Sequence, residues 1–164
     1  MVTCGRRRPR RARCAGGATP RFGCRGRDAQ RLVSDHSAIE AANTRFYRAF
    51  EALDIDEMDG VWAHGEHVKC VHPGWPLLVG WTAVRASWET IFANTAEMSF
   101  TLSNLEVVAG ADLAWVTCTE NILSEVRGRV TVTSVLATNL FERDAQGWRL
   151  VHHHASHILG QTAS

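Results

Sequence analysis

LAWVTCTENILSEV (113–126), VTVTSVLATNLFER (130–143) and WRLVHHHASH (148–157) follow one another with only Arg127-Gly128-Arg129 and Asp144-Ala-Gln-Gly147 between them. All three runs are rich in β-branched and aromatic residues, which pack well on a pleated surface, and the short Gly-containing intervals suit tight turns. They read as an antiparallel meander. Met98–Val108, set off by Gly110-Ala-Asp112, adds a fourth strand ahead of them.

The pattern changes on the N-terminal side. Ser37-Ala-Ile-Glu40 has the form of a capping box and predicts a helix start, after which Ile39, Ala42, Phe46, Phe50 and Leu53 recur at three- and four-residue spacings, with Tyr47 at the edge of the stripe. Asp54-Ile-Asp-Glu57 repeats the cap logic for a short second helix carrying Met58, Val61 and Trp62. His67–His72 alternates with period two, so Val68, Cys70 and His72 share one face of an early strand, and Pro73-Gly74 ends it. Thr82 is placed to cap a third helix, which turns Val84, Trp88, Ile91 and Phe92 inward and ends near Asn94. Three helices with one early strand, then a meander, predict an α+β domain with the helices packed on one sheet face. Val130, Val132 and Leu136 alternate with Val135, Ala137 and Phe141, so this sheet is apolar on both faces. A single-sided sheet would be polar on its solvent face, so a homodimer through the sheet face is expected.

The 164 residues, 45% of them apolar, suffice for one core. The net charge of +1 conceals a division: residues 1–31 hold ten of the eighteen basic side chains but only one acid, Asp28. What remains is acidic. Residues 1–33 lack the apolar segment of a secretory signal and read as a basic disordered tail, a translated leader ahead of a start at Val33, or a transit peptide. The domain then spans residues 34–158, and residues 159–164 form a flexible end. Cys4, Cys14 and Cys24 lack zinc spacing, and Cys70 and Cys118 fall in strand-like runs as buried thiols, so no disulfide framework is expected. No run approaches the roughly 18 apolar residues of a membrane span, and the expected location is the cytoplasm. Nucleic acid is not expected as a partner.

Cys70-Val-His-Pro-Gly-Trp75 with Gly80 and Ser87-Trp88, then Ala114-Trp-Val-Thr-Cys-Thr-Glu120, Ala137-Thr-Asn-Leu-Phe-Glu142, Gly147-Trp148 and Val151-His-His-His-Ala-Ser156 resemble, in that order, SnoaL-like domains of the nuclear transport factor 2-like superfamily. The ending, with His152, His154 and Ser156 in an HxHxS pattern, is also similar to the association domain of calcium/calmodulin-dependent kinase II. The resemblance covers nearly all of residues 35–158 and implies a cone: a curved antiparallel sheet packed against three N-terminal helices, with a cavity on its concave side. It implies no single activity, because the superfamily holds isomerases, hydrolases, cyclases, transport factors and assembly domains.

Within such a cone, Tyr47, Trp62, His72, Trp75, Trp88, Asn139 and His152 are the candidate lining of a ligand pocket, and Glu120 and His154 the candidate catalytic pair. His72 reads either as a rim group or as a histidine tied to structural backbone. Asn139 is an amide among apolar neighbours and needs partners, from a ligand or a fixed network. Glu120, if buried, would have a raised pKa suited to a general base; the alternative is an ion pair with Arg127, Arg129 or Arg149. It has no residue-by-residue match to the catalytic aspartate of the superfamily's isomerases. His152 and His154 are two apart, so they leave one face of a strand together while His153 points the other way. With His72 they would be an adequate set for zinc or iron, but no helical HExxH or Cys pair accompanies them, and neither metal nor cofactor is expected. The sequence thus points to a pocket that binds, and by isomerase- or hydrolase-type acid–base chemistry transforms, a small partly apolar molecule, with a non-catalytic association module as the alternative.

Overall fold

The first helix, α1 (Arg25–Ala52), opens well before the capping box at Ser37. Arg, Asp, Ala, Gln and Leu between Arg27 and Ser37 include no helix breaker, so the helix runs through the box and Ser37 is an interior position rather than a cap. The computed structural model describes residues 25–158, with side chains from Asp35 onward. The cysteines at 4, 14 and 24, the basic segment ahead of residue 25 and residues 159–164 lie outside the described residues. A Schellman arrangement stops α1: Leu53 adopts φ 52°, its N–H donates to Phe50 O, and the Asp54 N–H donates to Ala49 O. Asp54 then caps α2 (Ile55–Val61) as expected, its Oδ1 accepting from the Asp56 and Glu57 N–H groups at 2.9 and 3.0 Å.

The early strand is β1 (Lys69–Val71), followed by a short β2 (Leu78–Val79) that the sequence did not announce. Between them His72-Pro73-Gly74-Trp75 makes a tight turn with Gly74 at φ 80° and the Trp75 N–H on His72 O at 2.9 Å, the type II pattern of Pro then Gly. Helix α3 (Trp81–Asn94) is introduced by Gly80 at φ 83°, with no side-chain cap. Thr82, expected as the cap, lies in the first turn, because only glycine readily takes the conformation by which the chain leaves β2.

The meander is β3 (Thr95–Ala109), β4 (Leu113–Val126), β5 (Arg129–Asp144) and β6 (Gly147–His157), and the sheet order is β2-β1-β6-β5-β4-β3. Its pairs are antiparallel except β1 with β6, which run parallel and set Cys70 opposite His153. The mixed pair arises because α3, β3, β4 and β5 intervene before the chain returns beside β1. Register shifts in β3 at Thr95–Glu97 and Ser103–Glu106, and between β5 and β6 at Leu140–Phe141, bend the sheet around the helices.

Ile39, Phe46, Met58, Trp62, Trp88, Phe141 and Leu150 are fully buried between the helices and the concave face. On the opposite face Trp115, Val130, Val132 and Leu136 are exposed, the last three by more than half. Among the described residues no helix is long and apolar enough to cross a membrane. Cys70 and Cys118 are free and buried, as expected.

Candidate functional site

Period two decides what the concave face carries. Along β4 the inward positions are Ala114, Val116, Cys118 and Glu120; along β5 they are Val135, Ala137, Asn139 and Phe141; along β6 they are Trp148 and Leu150 and, past the irregularity at Val151, His153 and Ala155. Three polar side chains therefore enter an otherwise apolar surface, with Glu120 and His153 each 2% exposed and Asn139 fully buried.

These groups are connected. Asn139 and His153 are directly opposite in the β5–β6 register, and the His153 Nδ1 lies 2.7 Å from Asn139 Oδ1. The amide nitrogen of Asn139 donates to Asn43 Oδ1 at 2.8 Å and to the Tyr47 hydroxyl at 3.2 Å, both on α1. Tyr47 in turn donates to Glu120 Oε1 at 2.7 Å, with Cys118 Sγ 3.2 Å from the same hydroxyl. A second small cluster lies toward the rim. Ser87 donates its proton to Val84 O at 2.6 Å, so at its 2.8 Å contact with His72 Nε2 the serine oxygen accepts and His72 carries the proton on Nε2. Trp88 and Trp75 meet the His72 ring edge-on at centroid distances of 4.6 and 5.2 Å.

A cavity of about 490 Å³ opens where these clusters face each other. His72, Pro73 and Trp75 form its rim, Phe50, Ile91, Met98, Ile122 and Val126 its apolar walls, and Glu120 and His153 line it from the sheet. Among the described residues no Arg or Lys lines it. Burial pushes the Glu120 carboxyl up to about 7, against the opposing pull of the Tyr47 hydrogen bond. Burial holds His72 down at about 4, and burial with the neighbouring His72, His152 and His154 keeps His153 well below its ordinary value. Both imidazoles are neutral near pH 7. Desolvation and the Glu120 charge raise the Tyr47 hydroxyl, which stays protonated.

Of the residues singled out in the sequence, His72, Trp75 and Glu120 reach the cavity. Tyr47 and Asn139 stand behind it as partners of Glu120 and His153, and Trp88 supports His72. Trp62 is core instead, 1% exposed with its Nε1 on Met58 Sδ at 3.3 Å. His152 and His154 lie on the opposite sheet face, with His154 exposed, so neither reaches the cavity. The alternation of β6 puts His153 there in their place. Its signal was present in the sequence: Val151 and Ala155, the apolar members of VHHHAS, share parity with His153, whereas Ser156 shares it with His152 and His154. Glu120 is paired with Tyr47, not with Arg127, Arg129 or Arg149. No group of three or more His, Cys, Asp or Glu among the described residues is arranged to hold a metal ion.

Comparison with known proteins places this arrangement. Residues 39–160 match the profile of the SnoaL-like domain. A candidate dehydratase of the NTF2-like family from Streptomyces avermitilis is 38% identical, covering 79% of this chain and 99% of its own, with a TM-score of 0.74. A candidate calcium/calmodulin-dependent protein kinase type II association domain from Thiobacillus denitrificans is 37% identical over 73% of this chain and 94% of its own, with a TM-score of 0.65. The F-box protein SKIP8 of Arabidopsis thaliana is 30% identical over 122 residues, 74% of this chain. The chain spans about half the length of that curated relative.

Proposed function

The chain belongs to the SnoaL-like domain family, a ligand-binding fold, and from that premise we propose that its cavity binds a compact, largely apolar, uncharged organic molecule and transforms it by proton transfer. The observation that carries this reading is Glu120: a carboxyl group at the end of an apolar cavity, held by Tyr47 and raised to about 7, where a general base works best near neutrality. His153 is the second polar group of the cavity wall, in place of His154, and its neutral ring offers the ligand an acceptor. Isomerisation and dehydration share one demand, the removal of a proton from carbon and its delivery to a second atom. Glu120 meets both halves, taking the proton as a carboxylate and giving it up as a carboxylic acid, in elimination to the departing oxygen. The 38% identity to a candidate dehydratase favours the elimination, in which the C–H proton goes to the base, the C–O bond breaks and the departing oxygen leaves as water. The lack of Arg or Lys among the described residues of the lining disfavours anionic substrates.

Thermal-shift screening of uncharged cyclic and aromatic hydroxyketones, followed by turnover assays on the hits, tests the reading. Glu120→Gln is expected to lower turnover at least about a hundredfold, the usual scale of acid–base catalysis, and His153→Gln, which removes the imidazole acceptor from the cavity wall, to lower it less. His154→Ala is the surface control and should leave both binding and turnover unchanged. Undiminished turnover in Glu120→Gln would end the catalytic reading.

The apolar outer face favours a second property. Trp115, Val130, Val132 and Leu136 stand exposed on one side of the sheet, and the 37%-identical association domain is by its name an assembly module. We propose that two copies of the chain pair through this face, which leaves the cavity on the far side of each sheet free.

A further inference from the structure

We propose that Glu120, Tyr47, Asn139 and His153 form one directional chain of hydrogen bonds, through which the Glu120 carboxylate selects the tautomer of His153.

Tyr47 has a single hydroxyl hydrogen, and beside a carboxylate oxygen at 2.7 Å that hydrogen belongs to the bond with Glu120 Oε1. Its oxygen can then only accept in the 3.2 Å contact with Asn139, so the nitrogen end of that amide faces Tyr47. Asn43 Oδ1, 2.8 Å away and 1% exposed, takes the second amide hydrogen; being an amide with a donor and an acceptor end, Asn43 can turn together with Asn139, so this bond follows the orientation that Tyr47 sets. The amide oxygen is thereby turned to His153, and a carbonyl oxygen 2.7 Å from Nδ1 requires that Nδ1 carry the proton. Nε2 is left bare, and no other hydrogen bond of His153 is found among the described residues. Cys118, the remaining neighbour of the Tyr47 hydroxyl, can donate its S–H to the oxygen's second lone pair without disturbing this order.

Asn139 is on this view a positioning residue with two ends, one fixing the carboxylate through Tyr47 and the other fixing the imidazole. While Glu120 is ionised, a ligand meets two acceptors, its free oxygen and the bare Nε2. Once Glu120 is protonated, Tyr47 is no longer bound to donate to it, the amide is free to turn, and His153 can offer an N–H instead. Tyr47, Cys118, Cys70, His72 and His153 are the buried titratable groups around the carboxyl, and none of them carries a charge near pH 8; the exposed His157 is the other titratable group of the cavity lining. The proposal rests on the cavity reading only for its use, since the tautomer exists whether or not a ligand binds.

Nitrogen NMR of the full chain labelled with 15N-histidine reads the tautomer directly, with the His153 signals identified by their loss in His153→Gln. At pH 8.5 the Nδ1–H form should exceed the Nε2–H form about fivefold, the ratio one hydrogen bond of about 1 kcal/mol sustains. Tyr47→Phe removes the link to the carboxylate and should bring the two forms within about twofold. Asn139→Asp keeps an acceptor opposite Nδ1 and should retain the Nδ1–H form. In the unmodified chain, the Nδ1–H population should fall between pH 8.5 and 6 together with the 13C signal of the Glu120 carboxyl. An Nε2–H tautomer at pH 8.5, an unchanged ratio in a folded Tyr47→Phe, or a ratio that ignores the Glu120 transition overturns the chain. None of these results depends on substrate, so failure here and failure of turnover in Glu120→Gln are separate outcomes.

Discussion

Glu120 and His72 sit within one cavity lining yet tie stability to pH with opposite sign. The folded Glu120 carboxyl is raised to about 7 from 4.5, so the unfolded chain ionises first and stability falls as pH rises from about 4.5 to 7. The full difference is roughly 3 kcal/mol at 1.36 kcal/mol per pKa unit. Glu120→Gln should therefore raise the melting temperature at pH 8 relative to the parent and change little at pH 4.5. An equal effect at both pH values would show that the carboxylate is not buried in solution. His72 is lowered to about 4 from 6.5, so its contribution is full above 6.5 and lost as pH falls toward 4. Calorimetry of His72→Gln should show a flatter acid limb than the parent, whatever its stability at pH 7. The chemistry of these residues was partly readable in the chain itself: a glutamate and an asparagine at inward parity among Val, Ala and Cys cannot be left without partners. What could not be read was the partner, since Tyr47 lies on a helix whose approach to β4 is set by packing rather than by local sequence.

At the scale of elements, the turn between β4 and β5 shows a compromise. Its two residues, Arg127 and Gly128, both have positive φ, 52° and 74°, the primed-turn geometry that matches strand twist. Glycine takes it freely and arginine does not. Arg127→Asn should stabilise the protein by about 0.5–1 kcal/mol, because asparagine tolerates this region where most L-residues are strained. Urea denaturation checks it, and a loss of stability would mean that the 3.4 Å contact from Arg127 to Asn94 matters more than the turn. The meander, the capped α2 and the break at Pro73-Gly74 all follow from local chemistry and were expected. The start of α1 and the inward face of β6 were not. The former depends on what precedes a capping motif, the latter on which of two interleaved sets in VHHHAS the neighbouring strands enclose. Parity alone is ambiguous there, because three successive histidines offer ligand-like side chains to both faces.

For the molecule as a whole, the outer sheet face is the feature a single chain does not account for. Val132 at 78% exposure and Val130 at 68% are costly to leave in water, and pairing with a second copy would cover them. Trp115→Glu with Leu136→Glu should convert a dimer to a monomer in sedimentation velocity while the concave side keeps its ligand response. A dimer that survives both charges would place the contact elsewhere. The two-sided apolar pattern made this face visible in the sequence, but only the fold shows that it is the side opposite Glu120. The sheet order also carries a consequence for how the protein is made. The last strand, β6, lies between the first, β1, and β5, so Val71 gains its sheet partner, and Lys69 and Cys70 their second one after β2, only when His152, His153 and His154 arrive. Such long-range pairings are slow to form and cannot begin before the C-terminal strand has left the ribosome. The rim at His72 and the wall at Glu120 are thus brought together by the last strand of the sheet, and a nascent chain lacking it has the parts of the cavity but no cavity.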